Sequence, residues 1–213
     1  MIKAVLLDLD GVLTDSNTAY LELFERMFAK HNIRVSRPLI LRHFGENANK
    51  FFKAVVPSGK YGEICKYYAE QALTPAFFRT IKLFPYSRKT LETLNKKYKL
   101  ALCTGAYNKT VVYLIKKLRL KKYFKVIITG QDVKKGKPAP DLLLVALKKL
   151  EVKLSEAVYV GDAPADVSTA RNARLRPIIV LTGVLKKKSA RGMGVTDVLS
   201  DVSKLPLFLE KLK

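Results

Sequence analysis

Ala4-Val5-Leu6-Leu7-Asp8-Leu9-Asp10-Gly11-Val12-Leu13-Thr14 is an apolar run interrupted by two carboxylates and a glycine. A short buried strand ought to exclude unpaired acids, because taking a carboxylate out of water without a partner is costly. Two acids at the C-terminal lip of such a strand, ahead of a glycine turn, therefore read as a site and not as core. Side chains two apart on an extended chain project to the same side. A strand over residues 4–9 thus lets Asp8 and Asp10 share one ligand. Two like charges that close call for a cation between them, or for a proton on one of them. Mg²⁺ meets the first condition, since it favours carboxylate oxygens together with substrate phosphate.

Working outward, short apolar runs bounded by turn residues recur at 100–103, 126–129, 157–160 and 178–181. Helix-period patterns lie between them: Leu91 and Leu94; Val111, Leu114, Ile115 and Leu118; Leu143, Ala146, Leu147 and Leu150. Pro164 opens a further one, at a helix start where its missing N–H does no harm. Strands alternating with helices predict right-handed βαβ units and an α/β fold with a doubly wound parallel sheet. Residues 16–80 break the alternation. They hold three helical patterns, around Leu21, Phe24 and Phe28, around Phe51, Phe52 and Val55, and from Tyr61 through Ile64, Cys65, Tyr68 and Ala69 to Leu73. Pro38, Gly45, Pro57 and Gly59 punctuate them. The expected organisation is an α/β core from 1–15 and 81–213. A helical cap over 16–80, inserted after the first strand, is placed to close over the site as a lid.

The 213 residues are 48% hydrophobic and 27% charged, the balance of a soluble globular chain. No apolar stretch approaches the ~20 residues that span a bilayer. With a strand bearing the site from residue 8, no cleavable signal is expected ahead of it. Cys65 and Cys103 form neither a metal-spaced pair nor a disulfide framework, so a reducing, cytoplasmic setting is expected. The formal charge of +22 is uneven, +3 over residues 1–80 and +19 over 81–213, densest at 116–125 and 186–191. Such a field attracts polyanions and small anionic substrates alike. Solvated helix faces account for it more simply, so nucleic acid stands second to a small anionic substrate as the expected partner. The sequence leaves monomer and homodimer open.

Later strand ends carry further polar groups. Thr104 follows the run at 100–103, and Lys137 follows the run at 126–129 within Gly136-Lys137-Pro138. Asp162 and Asp166 follow the run at 157–160 within Gly161-Asp162-Ala163-Pro164-Ala165-Asp166. In an open α/β sheet the ligand crevice lies outside the carboxyl ends of the strands, so all of these converge on the site that Asp8 and Asp10 open. Singly each has a duller reading: Asp10-Gly11 a turn, Thr104 and Asp162 helix caps, Lys137 a surface charge. Their joint occurrence at strand ends does not.

On these motifs the chain resembles the haloacid dehalogenase superfamily, mostly phosphatases, and within it the helical-capped branch that includes phosphoglycolate phosphatases. The resemblance implies a Rossmann-like core and a Mg²⁺-dependent phosphatase acting on small phosphorylated metabolites. It makes Asp8 the nucleophile that forms an aspartyl-phosphate and Asp10 the acid and base that serves leaving group and water. Asp8, Asp10 and Asp162 become the Mg²⁺ ligands. Thr104 and Lys137 hold the phosphoryl oxygens, and Asp166 orients Lys137 from behind. An acid at position 10 also separates phosphatases from the dehalogenases, whose halide leaves without a proton. For the rest of the substrate the candidates are Gly105, and Arg42, His43 and Lys50 around the turn at Gly45. An arginine there grips a carboxylate, as phosphoglycolate requires. A phosphosugar mutase with the same motifs, and a basic nucleic-acid-binding protein on a phosphatase scaffold, are the alternatives.

Overall fold

The computed structural model describes residues 1–212. The chain runs through β1 (Ala4–Leu7) and β2 (Thr14–Asp15). Five helices follow, α1 (Asn17–Lys30), α2 (Arg37–Arg42), α3 (Ala48–Val55), α4 (Tyr61–Ala72) and α5 (Pro75–Thr80), and then β3 (Lys82–Leu83). Strands and helices alternate thereafter: α6 (Ser87–Asn95), β4 (Lys99–Cys103), α7 (Asn108–Lys117), β5 (Val126–Ile128), α8 (Asp141–Leu150) and β6 (Ala157–Gly161). The chain closes with α9 (Pro164–Asn172), β7 (Arg176–Val180), α10 (Lys187–Gly192), β8 (Val198–Leu199) and α11 (Leu205–Glu210).

Six strands form one sheet in the order β5-β4-β1-β6-β7-β8, and every neighbouring pair is parallel. All four residues of β1 are buried, as a parallel strand covered on both faces must be. The two-residue period sorts its side chains. Val5 and Leu7 join Leu91, Leu94, Val111 and Leu114 from α6 and α7 in one core. Ala4 and Leu6 join Leu142, Leu143 and Ala146 of α8, and Ala170 of α9, in the other. Helices therefore cover both faces, which is the doubly wound α/β arrangement that the alternation predicts. From β1 the chain fills one half of the sheet through β4 and β5 and the other through β6, β7 and β8. The order reverses beside β1, and a crevice opens there at the strand ends.

The excursion between β2 and β3 is helical. Those two short strands pair antiparallel, Thr14 opposite Leu83 and Asp15 opposite Lys82, and bring its two ends together. Asn47 caps α3 by accepting from Asn49 N, and Thr74 caps α5 by accepting from Phe77 N, with Pro75 in the first turn. The interior of this helical unit is aromatic. Phe24 meets Phe51, Phe52 and Tyr68 at ring-centroid distances of 5.7 Å each, and Phe44 at 6.1 Å.

Three local features differ from the pattern-based expectation. β1 stops at Leu7, not residue 9. Asp8 N still donates to Val160 O, but the Leu9 carbonyl then accepts from Leu13 N and Thr14 N, which folds the chain into a turn. Asp8 and Asp10 thus stand on a turn and not along one strand face. β7 begins at Arg176, ahead of the apolar run at 178–181, because β6 supplies partners from Val158 onward. Finally β2, β3 and β8 are two residues long, too short to show any periodicity.

Candidate active site

Lys137 is the centre of the site. Its side chain is 0% exposed, an expensive place for an ammonium unless carboxylates surround it. Its Nζ lies 2.7 Å from Asp166 Oδ1 and 2.9 Å from Asp8 Oδ2. Burial lowers its proton affinity, but those two carboxylates outweigh burial and hold it above the ordinary lysine value. Asp166 is fully committed to the protein. Oδ1 also accepts from Tyr159 O–H at 2.8 Å, and Oδ2 accepts the backbone N–H groups of Asp162 and Ala163 at 3.0 Å each, at the N-terminus of α9.

Asp8 and Asp162 are buried beside this cluster, and a carboxylate oxygen of each falls within 4.8 Å of the other and of Asp166. Asp8 Oδ1 is buried without a hydrogen-bond partner. Burial raises the Asp8 carboxyl to about 7 against the pull of Lys137, and the charges of Asp166 and Asp10 add to the rise. Burial likewise drives Asp162 well above the ordinary carboxylate range, reinforced by Asp166 and Asp8. Asp162 Oδ2 accepts from Asn17 Nδ2 at 2.9 Å and from Val184 N at 3.1 Å. Two carboxyl groups whose proton affinity burial raises, one with a bare buried oxygen, are a donor set that fits a cation.

Asp10 lines the same cavity. Burial raises its carboxyl too, partly offset by the Ser16 hydroxyl that donates to Oδ1. Thr104, at the end of β4, is buried, and its hydroxyl accepts from Ala106 N at 3.2 Å. Its own proton remains available to a ligand. Two glycines make the packing feasible. Gly11 sits at φ +70°, and a Cβ there would lie 2.2 Å from Asp162 Oδ2; a Cβ on Gly183 would lie 1.6 Å from the same oxygen.

The structure thus brings Asp8, Asp10, Thr104, Lys137, Asp162 and Asp166 from four strand ends to one place. Gly105 and His43 line the cavity as well. Arg42, the last residue of α2, and Lys50 in α3 are not among its lining residues; Lys50 pairs with Glu46 at 3.2 Å. Sequence patterns missed Ser16, Asn17, Glu46 and Tyr159. Asn17 reaches Asp162 across 145 positions and Tyr159 reads as a core strand residue, so no local signal marks either. Cys103, buried beneath Thr104, has a thiol that burial raises far above its usual range, and it is inert packing.

Among known proteins, a phosphorylated carbohydrates phosphatase from Thermotoga maritima is 27% identical over 181 residues, covering 83% of this chain and 84% of that one. A phosphoglycolate phosphatase from Salmonella choleraesuis is 33% identical over 137 residues, 64% of this chain and 52% of that one. The crystal structure of a hydrolase from Pseudomonas syringae superposes with a TM-score of 0.89 at 26% identity over 99% of each chain. The sequence pattern of the haloacid dehalogenase-like hydrolases matches residues 5–180, from β1 through the aspartate turn and the Asp162 loop to β7, and the chain belongs to that family.

Proposed function

We propose that this chain is a Mg²⁺-dependent phosphatase of small phosphomonoesters that works through an aspartyl-phosphate on Asp8. The observation that carries the reading is the wholly buried Lys137 clamped between Asp8 and Asp166. No folding requirement explains it, because an apolar side chain would stabilise the interior at least as well. Phosphoryl transfer does explain it, since a fixed cation and a held nucleophile meet the charge that spreads over the phosphoryl oxygens.

Asp8 attacks phosphorus, and the bond from phosphorus to the ester oxygen breaks. Asp10, whose hold on a proton burial strengthens, gives its proton to the departing alkoxide. Water then attacks the acyl phosphate while Asp10 takes back a proton, and Asp8 is restored. Thr104 and Lys137 donate hydrogen bonds to non-bridging oxygens throughout. Asp166 positions Lys137 and acts only through it. Asp8, Asp162 and the Asp10 backbone carbonyl are the groups that would hold Mg²⁺. The bound ion supplies positive charge that lets a carboxylate approach a phosphate. Residues 16–80 act as the cap that excludes water from this chemistry. The phosphatases among the relatives support the same class of substrate.

The test is phosphate release from p-nitrophenyl phosphate with Mg²⁺ and with EDTA, together with mass spectrometry of acid-quenched enzyme. Turnover that needs the metal and a phosphorylated Asp8 are expected. Undiminished turnover by Asp8→Asn would overturn the reading. Isomerisation of a sugar phosphate without net phosphate release would identify a mutase instead.

A further inference from the structure

The space above the aspartate floor is narrow, about 70 Å³, and open to solvent on one side. Its walls are rings: Tyr20, Phe24, Phe44, Phe51, Tyr68 and Tyr107. The loop at Gly45 seats directly on the phosphate-binding turn, since a Cβ on Gly105 would fall 2.7 Å from the Gly45 carbonyl oxygen. The group joined to the phosphoryl in the proposed reaction therefore faces this loop.

Two polar side chains interrupt the aromatic wall here. His43 stacks on Phe51, ring centroids 5.0 Å apart and 24° from coplanar. Its Nδ1 lies 3.6 Å from Glu46 Oε2, beyond hydrogen-bond length, and both atoms are buried without a hydrogen bond. Lys50, whose side chain is 57% exposed, approaches the same Oε2 at 3.2 Å from outside. No lysine or arginine lines the chamber among the described residues. Lys137 is beneath it, held by Asp8 and Asp166 with its remaining donor directed to the phosphoryl oxygens of the proposed reaction.

We propose that the alcohol released here is small and uncharged, and that Glu46 with His43 is the specificity-determining pair. This rests on the phosphatase reading above. A hydroxyl of the leaving group donates to the Glu46 carboxylate, which Lys50 holds from outside, beside the His43 ring. Its carbon skeleton lies against the rings. An ester that carries a carboxylate or second phosphate beside the phosphoryl group meets the Glu46 charge at close range, with no chamber cation to answer it. Phosphoglycolate falls in that rejected class.

Matched esters test this: 2-phosphoglycolate against 2-hydroxyethyl phosphate, and 3-phosphoglycerate against glycerol 3-phosphate, with p-nitrophenyl phosphate as the reference. The expected kcat/KM is about 10-fold or more higher for the neutral member of each pair. Glu46→Gln removes a negative charge and leaves Lys50 unneutralised, so it narrows the gap, chiefly through a lower KM for the carboxylate esters. Glu46→Ala, which removes the hydroxyl acceptor as well, also raises KM for the neutral esters. Wild-type preference for phosphoglycolate, with p-nitrophenyl phosphate turned over, overturns the inference while sparing the phosphatase reading. A gap unchanged in both variants overturns the role of Glu46. Failure on every ester, the reference included, removes both readings together.

Discussion

The floor of the site and its roof are built from opposite materials. The floor, at the strand ends around β1, is charged and over-determined: Lys137 has two carboxylates, and Asp166 accepts four hydrogen bonds. The roof, from α1 to α4 and the loop at Gly45, is a cluster of rings in mostly edge-on contact, with His43 stacked on Phe51 and Glu46 paired with the exposed Lys50. The contrast separates chemistry from selection. Charges in a low-dielectric site hold only one arrangement, because a lost partner is paid for in full. Apolar walls accept a change of shape at modest cost, so they can differ without endangering the reaction.

Substitutions on the two levels should therefore fail differently. The largest effect belongs to the floor. Asp8→Asn keeps the packing but removes the proposed nucleophile, so kcat on p-nitrophenyl phosphate should fall by about 10³-fold or more while circular dichroism stays native. Residual turnover near wild type would erase the distinction between floor and roof. Asp166→Asn comes next. It weakens the grip on Lys137 without touching substrate, and positioning losses of this kind run at about 10–100-fold. The loss should appear in kcat more than in KM, and Asp166→Glu should recover less than half of it, because the donors around Asp166 fit one chain length.

A smaller and sharper test uses pH. In the metal-free protein the Asp8 carboxyl titrates near 7 where an unfolded chain titrates near 3.8. Between those values the folded state holds a proton that the unfolded state has released, so stability falls as pH rises through this window. If Mg²⁺ binds as proposed it takes the ionised carboxylates, and the increase in Tm on adding it should be larger near about pH 8 than near about pH 5. An increase that shrinks with pH would remove Asp8 from the metal site.

The smallest effect belongs to the roof. Phe51→Leu takes the stacking ring from His43 and should cost about 1–2 kcal/mol of stability, read from denaturant midpoints. Activity on the reference ester should change only a few-fold while the ratio between neutral and anionic esters moves. A loss as large as that of Asp8→Asn would show that roof and floor act as one unit.

Much of the floor is legible from the sequence because its residues sit at the ends of apolar runs, where a buried strand has no use for them. Asp8, Asp10, Thr104 and Asp162 can all be placed by that rule, whereas Lys137, eight residues past its run, is picked out only by the Gly136-Lys137-Pro138 motif. The roof is legible only as helix periodicity. Which of Arg42, His43, Glu46 and Lys50 faces inward depends on the angle of a turn beside Gly45, at φ +84°, and on how that turn meets Gly105. Arg42 points to a carboxylate-bearing substrate in the linear reading, yet the cavity wall is formed by His43 and Glu46.

The sequence by itself determined the alternating α/β architecture and the set of strand-end groups, because the periods of 2 and 3.6 residues and the cost of burying charge are local facts. Only the tertiary structure decided that the Asp8–Asp10 pair leaves the strand for a turn. It alone linked Asn17 to Asp162 and Tyr159 to Asp166, and put a carboxylate, not an arginine, in the wall of the chamber. Those outcomes depend on contacts between residues far apart along the chain, whose geometry no local pattern encodes.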